Sequence, residues 1–255
     1  MKKIIAGVDE VGRGSLIGPV YAAAVILNKN INKIRFFLYS FFAITMTVNM
    51  FITGGRAGHV MYFVMISILI FQFFNHQKIK SLLAILIIVP FIFMTAYQTS
   101  PLFKQRVDTT VTHLLDYEVT KNTSVGHRIT FALNSWEIIK ENALLGVGTG
   151  DFPNEYKKIS TMYSPDGPYA NNPHNMYILV LVQSGIVGLL SMLSIMYYQI
   201  KLSFKGSNRF FRDVGFALPL LFLVIMWSDS YLLGHFTGFL FVFFSSFLYK
   251  DFEKS

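Results

Sequence analysis

Six long apolar stretches dominate the chain, at about residues 36–52, 57–74, 81–98, 175–199, 214–233 and 236–249. Polar and charged positions gather between these stretches instead of alternating within them. A helix needs roughly 20 apolar residues to cross a hydrocarbon layer, with a range near 17–25. The first four stretches meet that length. Asp229 interrupts the fifth near its end and the sixth is short, so these two are expected as a tight hairpin turning at Gly234 and His235. In lipid, backbone N–H and C=O groups must be bonded internally, and a run of this kind satisfies that as a helix. The pattern predicts an all-α, polytopic membrane helix bundle with about six transmembrane helices.

The segment 99–174 follows a different pattern. Ser124 is placed to cap a helix over about 127–142. Ile129, Ala132, Leu133, Trp136 and Ile139 recur at helical spacing on one face, while Asn134, Glu137 and Glu141 point elsewhere. This predicts an amphipathic helix resting on the outer leaflet or on the bundle. Gly146, Gly148 and Gly150 end it, and the Pro, Gly and Asn residues of 165–173 predict a loop. The chain then divides into an N-terminal piece, 1–33; three transmembrane helices, 34–98; an outer loop, 99–174; C-terminal transmembrane helices, 175–249; and a tail, 250–255.

Composition agrees with lipid as the solvent. Charged residues make up 14% of the chain, against about 25% in soluble domains, and mean hydropathy is +0.48. The absence of cysteine excludes disulfides and thiolate metal sites. A net charge of +8 would suit nucleic acid in a soluble protein, so its distribution decides. Lys29, Lys33 and Arg35 precede the first run, Lys78 and Lys80 separate the second from the third, and Lys201, Lys205, Arg209 and Arg212 separate the fourth from the fifth. Lys250 and Lys254 follow the sixth. All these groups fall on one side if each run crosses once, and the positive-inside rule makes that side cytoplasmic. The 99–174 loop, where acidic and basic residues nearly balance, is then expected to lie outside, with both termini cytoplasmic. Membrane lipid is the expected surrounding partner, and no nucleic-acid partner is expected.

Residues 4–27 read IIAGVDEVGRGSLIGPVYAAAVIL, a strand-like run, an Asp-Glu pair, a Gly-Arg-Gly turn and a second strand-like run. The segment is not a phosphate-binding P-loop, because no Gly-Lys-Ser/Thr follows. Asp9, Glu10 and Arg13 interrupt it too early for a signal peptide. It resembles the start of ribonuclease HII. In that family the resemblance implies that Asp9 and Glu10 ligate a divalent metal and that Gly12, Arg13 and Gly14 read the ribonucleotide junction. Two-metal hydrolysis needs several carboxylates converging on one cleft. The family draws two further Asp residues from a sheet-and-helix domain that does not follow here. The piece is therefore expected to be a non-functional remnant in a chimeric chain, and the nuclease reading is an alternative.

Three other residues are candidates for chemistry, because ionisable groups near lipid are costly and often functional. Arg56 lies in TGGRAG between the first two runs, where the bland reading is an interfacial Arg reaching to headgroups. Arg128 lies in SVGHRITFALNSWEIIKENALLGVGTGDF, where the bland reading is a solvated charge on the amphipathic helix. His174 lies in NNPHNMYILVLVQSGIVGLL at the outer mouth of the fourth run, where a lone His is usually structural. The histidines show no paired spacing that would make a zinc site. GVGTG follows a helix, not a strand, so it does not read as a dinucleotide-binding turn.

His174-Asn175 followed by Gly185 and Gly188 gives a His-Asn…Gly-x-x-Gly pattern that resembles the O-antigen ligase family. The upstream Arg, Trp and LLGVGTGDF resemble that family's outer-loop pattern, and TGGRAG resembles its Arg-bearing turn. The likeness spans roughly 36–249, the C-terminal part of a family whose full members have about twice as many spans. It implies transfer of an oligosaccharide from undecaprenyl pyrophosphate to an acceptor hydroxyl, in the ligase that of the lipid A core, in lipopolysaccharide biosynthesis. It implies that Arg56 and Arg128 bind and stabilise the departing pyrophosphate, and that His174 is general base on the acceptor. Asn175 is carried over as a substrate-binding residue. No metal, nucleotide or other cofactor is required by this residue set. Ligase, polymerase and protein oligosaccharyltransferase differ in acceptor and stay open, as does an inactive membrane fragment.

Overall fold

The computed structural model describes residues 33–74, 77–119, 121–165, 167–205 and 208–249. The nuclease-like piece, with Asp9 and Glu10, lies outside the described residues, as do Lys250 and Lys254. The described secondary structure is helical, and the chain forms two compact units that meet after Asp108. The sequence-based fold class holds: Arg56–Phe73, Lys78–Thr99 and Met176–Ser203 are long and apolar enough to cross a membrane, and shorter apolar helices accompany them.

The first unit contains α1 (Lys33–Ile52), α2 (Arg56–Phe73), α3 (Lys78–Thr99) and the start of α4 (Pro101–Leu115). Met50, Phe51, Tyr62, Ala96 and Phe103 form its core. The outer faces stay apolar: Leu86, Ile87 and Phe91 of α3 are exposed, as suits helices whose surroundings are lipid. The polar groups inside find partners. His59 Nε2 lies 3.0 Å from the Met50 carbonyl, and Ser100 Oγ donates to the Phe51 carbonyl at 2.7 Å. Such bonds tie helices together where no hydrophobic force between them exists. Pro90 inside α3 removes one ladder bond, which membrane helices tolerate.

The second unit contains α5 (Ser124–Glu141), α6 (Phe152–Tyr163), α7 (Met176–Ser203), α8 (Arg209–Ile225) and α9 (His235–Leu248). Two cores organise it. Phe131, Ile138, Phe152, Tyr156, Leu179 and Val182 join α5, α6 and the start of α7. Met192, Met196, Phe222, Met226 and Phe241 join the rest of α7 to α8 and α9. The fifth apolar run departs from expectation: α8 starts within the charged connector and ends at Ile225, leaving Asp229 in an irregular turn.

The amphipathic helix is present, with a different packed face. Thr123, not Ser124, caps α5, its side-chain oxygen accepting from Gly126 N. Gly126, Thr130, Phe131, Asn134, Ser135, Ile138 and Ile139 are buried, whereas Leu133 and Trp136 face outward. The reason is polar satisfaction: Asn134 Nδ2 donates to Tyr156 OH at 3.1 Å and to Ser164 Oγ at 2.6 Å. Burial pushes the Tyr156 hydroxyl above the ordinary phenol range.

The α7 helix is not one rod. Gly185 has φ 62° and ψ −162°, outside helical geometry. A Cβ built on Gly188 would lie 3.4 Å from Val180 Cγ1, although residues eight apart on a straight helix are about 12 Å apart. The two halves therefore meet at a sharp angle. The broken ladder is completed from the loop after α5: Val147 N donates to Val182 O at 2.8 Å, Gly148 N to Gln183 O at 3.0 Å, and Ile186 N to Ala143 O at 2.9 Å. Glycine is required on both sides, since a Cβ at Gly146 would meet Gln183 backbone at 2.4 Å and one at Gly185 would meet Leu144 backbone at 2.3 Å.

Candidate active site

The 171–175 loop and the 226–231 turn are laced together. Asn172 Oδ1 accepts from His174 N at 2.8 Å and from Ser230 Oγ at 2.7 Å. Met176 N donates to Met226 O at 2.8 Å. Asn175 caps α7, its Oδ1 accepting from Tyr177 N and Ile178 N at 3.0 and 3.2 Å, while its Nδ2 donates to Trp227 O at 3.3 Å. Both ends of the Asn175 amide are thus engaged with backbone, which makes it a loop-orienting residue.

His174 is presented by this lacing. It is the one non-glycine among the described residues with positive φ, 52°, and its side chain is 45% exposed. Its Nδ1 lies 3.1 Å from Asp229 Oδ1, and its ring stacks on Phe131 of α5 with centroids 6.0 Å apart. An ionised carboxylate only accepts, so in this pairing Nδ1 carries the hydrogen, and a neutral ring then has its lone pair on Nε2. Asp229 is fixed in turn by Ser230 N at 2.7 Å.

Arg128 is exposed on α5, three residues before Phe131. Its charge reaches Tyr231, two residues beyond Asp229. Burial raises the Tyr231 hydroxyl above the ordinary phenol range, and Arg128 acts against that rise. Phe131, one turn after Arg128 on α5, stacks on the His174 ring, so α5 and the two loops that flank α7 and α8 build one region around His174 and Asp229. Arg56 belongs to the first unit, at the start of α2. There the Arg106 guanidinium lies against the same turn, its Nη2 about where it would touch a Cβ on Gly54, at 3.0 Å.

Sequence reasoning named His174, Asn175, Arg128 and Arg56 as candidates and gave Asp229 no partner, reading it as an interruption of an apolar run. The signal was present: a carboxylate in a spanning stretch calls for a partner.

A family profile described as O-antigen ligase matches residues 41–193, more than half of the chain. The chain belongs to the O-antigen ligase family. It is accordingly a helical membrane protein. A second likeness is confined to about 30 residues of the N-terminal region. Ribonuclease HII of Pelagibacter ubique is 87% identical over 31 residues, 12% of this chain and 17% of that protein. Ribonuclease HII of Prochlorococcus marinus is 72% identical over 29 residues, 11% of this chain and 15% of that protein. That of Koribacter versatilis is 75% identical over 28 residues, 11% of each. The chain spans less than a fifth of the length of these curated relatives. An O-antigen ligase domain preceded by the opening of a nuclease makes the chain a chimera.

Proposed function

We propose that the chain carries the reacting groups of an O-antigen ligase-type transferase that moves an oligosaccharide from undecaprenyl pyrophosphate to an acceptor hydroxyl such as that of the lipid A core. The observation that supports this reading best is the His174–Asp229 contact, with Phe131, one turn after Arg128, stacked on the His174 ring. In the proposed step the acceptor oxygen attacks the anomeric carbon of the donor sugar, and its proton passes to His174 Nε2. The bond from that carbon to the pyrophosphate oxygen breaks, and the electron pair leaves with undecaprenyl pyrophosphate. Asp229 holds the ring in the tautomer with a free Nε2 and balances the imidazolium that forms. Arg128 offers a planar fork of donors to the charge growing on the leaving group. The site is read as periplasmic, in the bacterial inner membrane, where the lipid pyrophosphate already provides an activated donor.

The test is transfer in proteoliposomes containing the purified chain, a lipid-pyrophosphate oligosaccharide and lipid A core, read as a lipopolysaccharide ladder. Transfer by the wild type and its loss in His174→Ala is the expected result. A wild type that forms no ladder, or a His174→Ala variant that matches it, overturns the proposal.

A further inference from the structure

We propose that the outward face of α5 and the loop after it are seated in the lipid headgroup–acyl boundary, anchoring the catalytic region at a fixed height on the membrane. With its packed face turned to α6 and α7, α5 presents Leu133 and Trp136 outward at 54% and 55% exposure. Leu144 and Leu145 in the following loop are 65% and 69% exposed. Lys140, one turn beyond Trp136, lies on the same face with its ammonium paired to Glu137 Oε2 at 2.5 Å.

What covers these side chains follows from where the loop is tied. Ile186 N and Val187 N donate to Ala143 O and Leu144 O at 2.9 and 3.4 Å, so Leu144 and Leu145 sit level with the start of the second half of α7. That half, Ile186 to Ser203, is about 27 Å long at roughly 1.5 Å per residue. It matches a hydrocarbon layer about 30 Å thick, and its own Ile186, Val187 and Leu190 are exposed. The loop leucines continue that lipid-facing surface at its upper edge. A Trp at such an edge, beside exposed leucines, is the composition of an interfacial helix. Arg128 lies on the same helix about 7–8 Å from Leu133. The anchor thereby holds Arg128 near the height of lipid phosphates; this last clause rests on the proposed transfer reaction, whereas the lipid contact does not.

The chain has no cysteine, so Leu133→Cys and Leu145→Cys each create a single labelling site in the full-length protein. With a nitroxide attached and the protein in phospholipid vesicles, collision with oxygen should exceed collision with a water-soluble nickel chelate at both sites. A second measurement uses native Trp136. The chain has two tryptophans, and Trp227→Phe, which keeps a ring against Tyr177, leaves Trp136 alone. Its emission should be quenched by lipids brominated high on the acyl chain. Free access of the nickel chelate, with no bromolipid quenching, would show a water-facing helix and overturn the proposal. Exclusion of both collision reagents would show a protein cover, such as a second copy, and would overturn it equally. No transfer assay enters, so failure here is distinguishable from failure of the proposed reaction.

Discussion

His174 has a left-handed backbone that costs a non-glycine residue on the order of 1–2 kcal/mol. Asn172 and Asp229 bond to it on either side, and neither contact requires histidine for helix capping, since Asn175 supplies the cap of α7. Strain retained at an exposed, well-tethered side chain points to function. His174→Gly should therefore lose transfer by about 10²–10⁴, the usual effect of removing a base, while its unfolding temperature stays at or above that of the wild type. A fall in thermal stability together with retained transfer would make His174 a structural residue. Asp229→Asn should lower transfer on the order of tenfold or more, about 1.4 kcal/mol, because an amide can present its N–H₂ to Nδ1 and favour the wrong tautomer. Arg128→Lys should also fail in the ladder assay, as a point charge lacks the planar fork. Near-normal ladders from it would return Arg128 to the role of a solvated surface charge. His174 and Asn175 were legible because they adjoin each other in a short motif. Asp229 was not, because its partner lies 55 residues away and only folding brings them together.

The Gly-x-x-Gly portion of that motif has a mechanical explanation at the level of α7. Gly185 breaks the helix, and the carbonyls and N–H groups freed there are taken up by the 143–148 loop. Gly185→Ala adds a Cβ to a residue at φ 62°, 2.3 Å from Leu144 backbone, where neither partner is a flexible side chain. Unfavourable φ alone costs about 1–2 kcal/mol, and the overlap adds to it. The variant should show lower thermal stability in detergent and faster proteolysis between α5 and α6; wild-type values for both would mean that the break has no structural role. The helices α1 to α3 and the existence of α5 were legible from apolar length and period. The packed face of α5 was not, because hydrophobicity alone ranks Leu133 and Trp136 above Asn134, whereas the buried hydrogen bonds to Tyr156 and Ser164 reverse that order. The α6 helix escaped notice because its sequence, FPNEYKKISTMY, is polar on average; Phe152, Tyr156 and Ser160, four residues apart, are the buried stripe. The charge-rich α4 was hidden in the same way.

Over the whole molecule, two families meet in one chain, and the smaller share is expected to bring no reaction with it. The aligned segment is 17% of the Pelagibacter ubique nuclease, and phosphodiester hydrolysis with two metals needs carboxylates from well beyond it. Purified protein should leave a duplex with one embedded ribonucleotide intact in magnesium or manganese; incision that disappears in Asp9→Asn would contradict this. The orientation in the membrane rests on charge. Lys78 and Lys80 lie before α3, and Lys201, Lys205, Arg209 and Arg212 lie around the α7–α8 connection, so these groups share a side if α3, the second half of α7 and α8 each cross once. The bend at Gly185 does not alter that count, because 176–184, at about 13 Å, is too short to cross and stays on the side of the 99–174 segment. On that expectation, the positive-inside rule puts α5, α6, His174 and Arg128 outside the cytoplasm. In the cysteine-free chain, Thr161→Cys sits at an exposed position of α6 and Ser207→Cys in the basic connection after α7. A membrane-impermeant maleimide should label Thr161→Cys in intact cells and Ser207→Cys only after permeabilisation. The reverse pattern would put the histidine on the cytoplasmic side, where a periplasmic acceptor could not reach it, and would refute both the orientation and the proposed reaction.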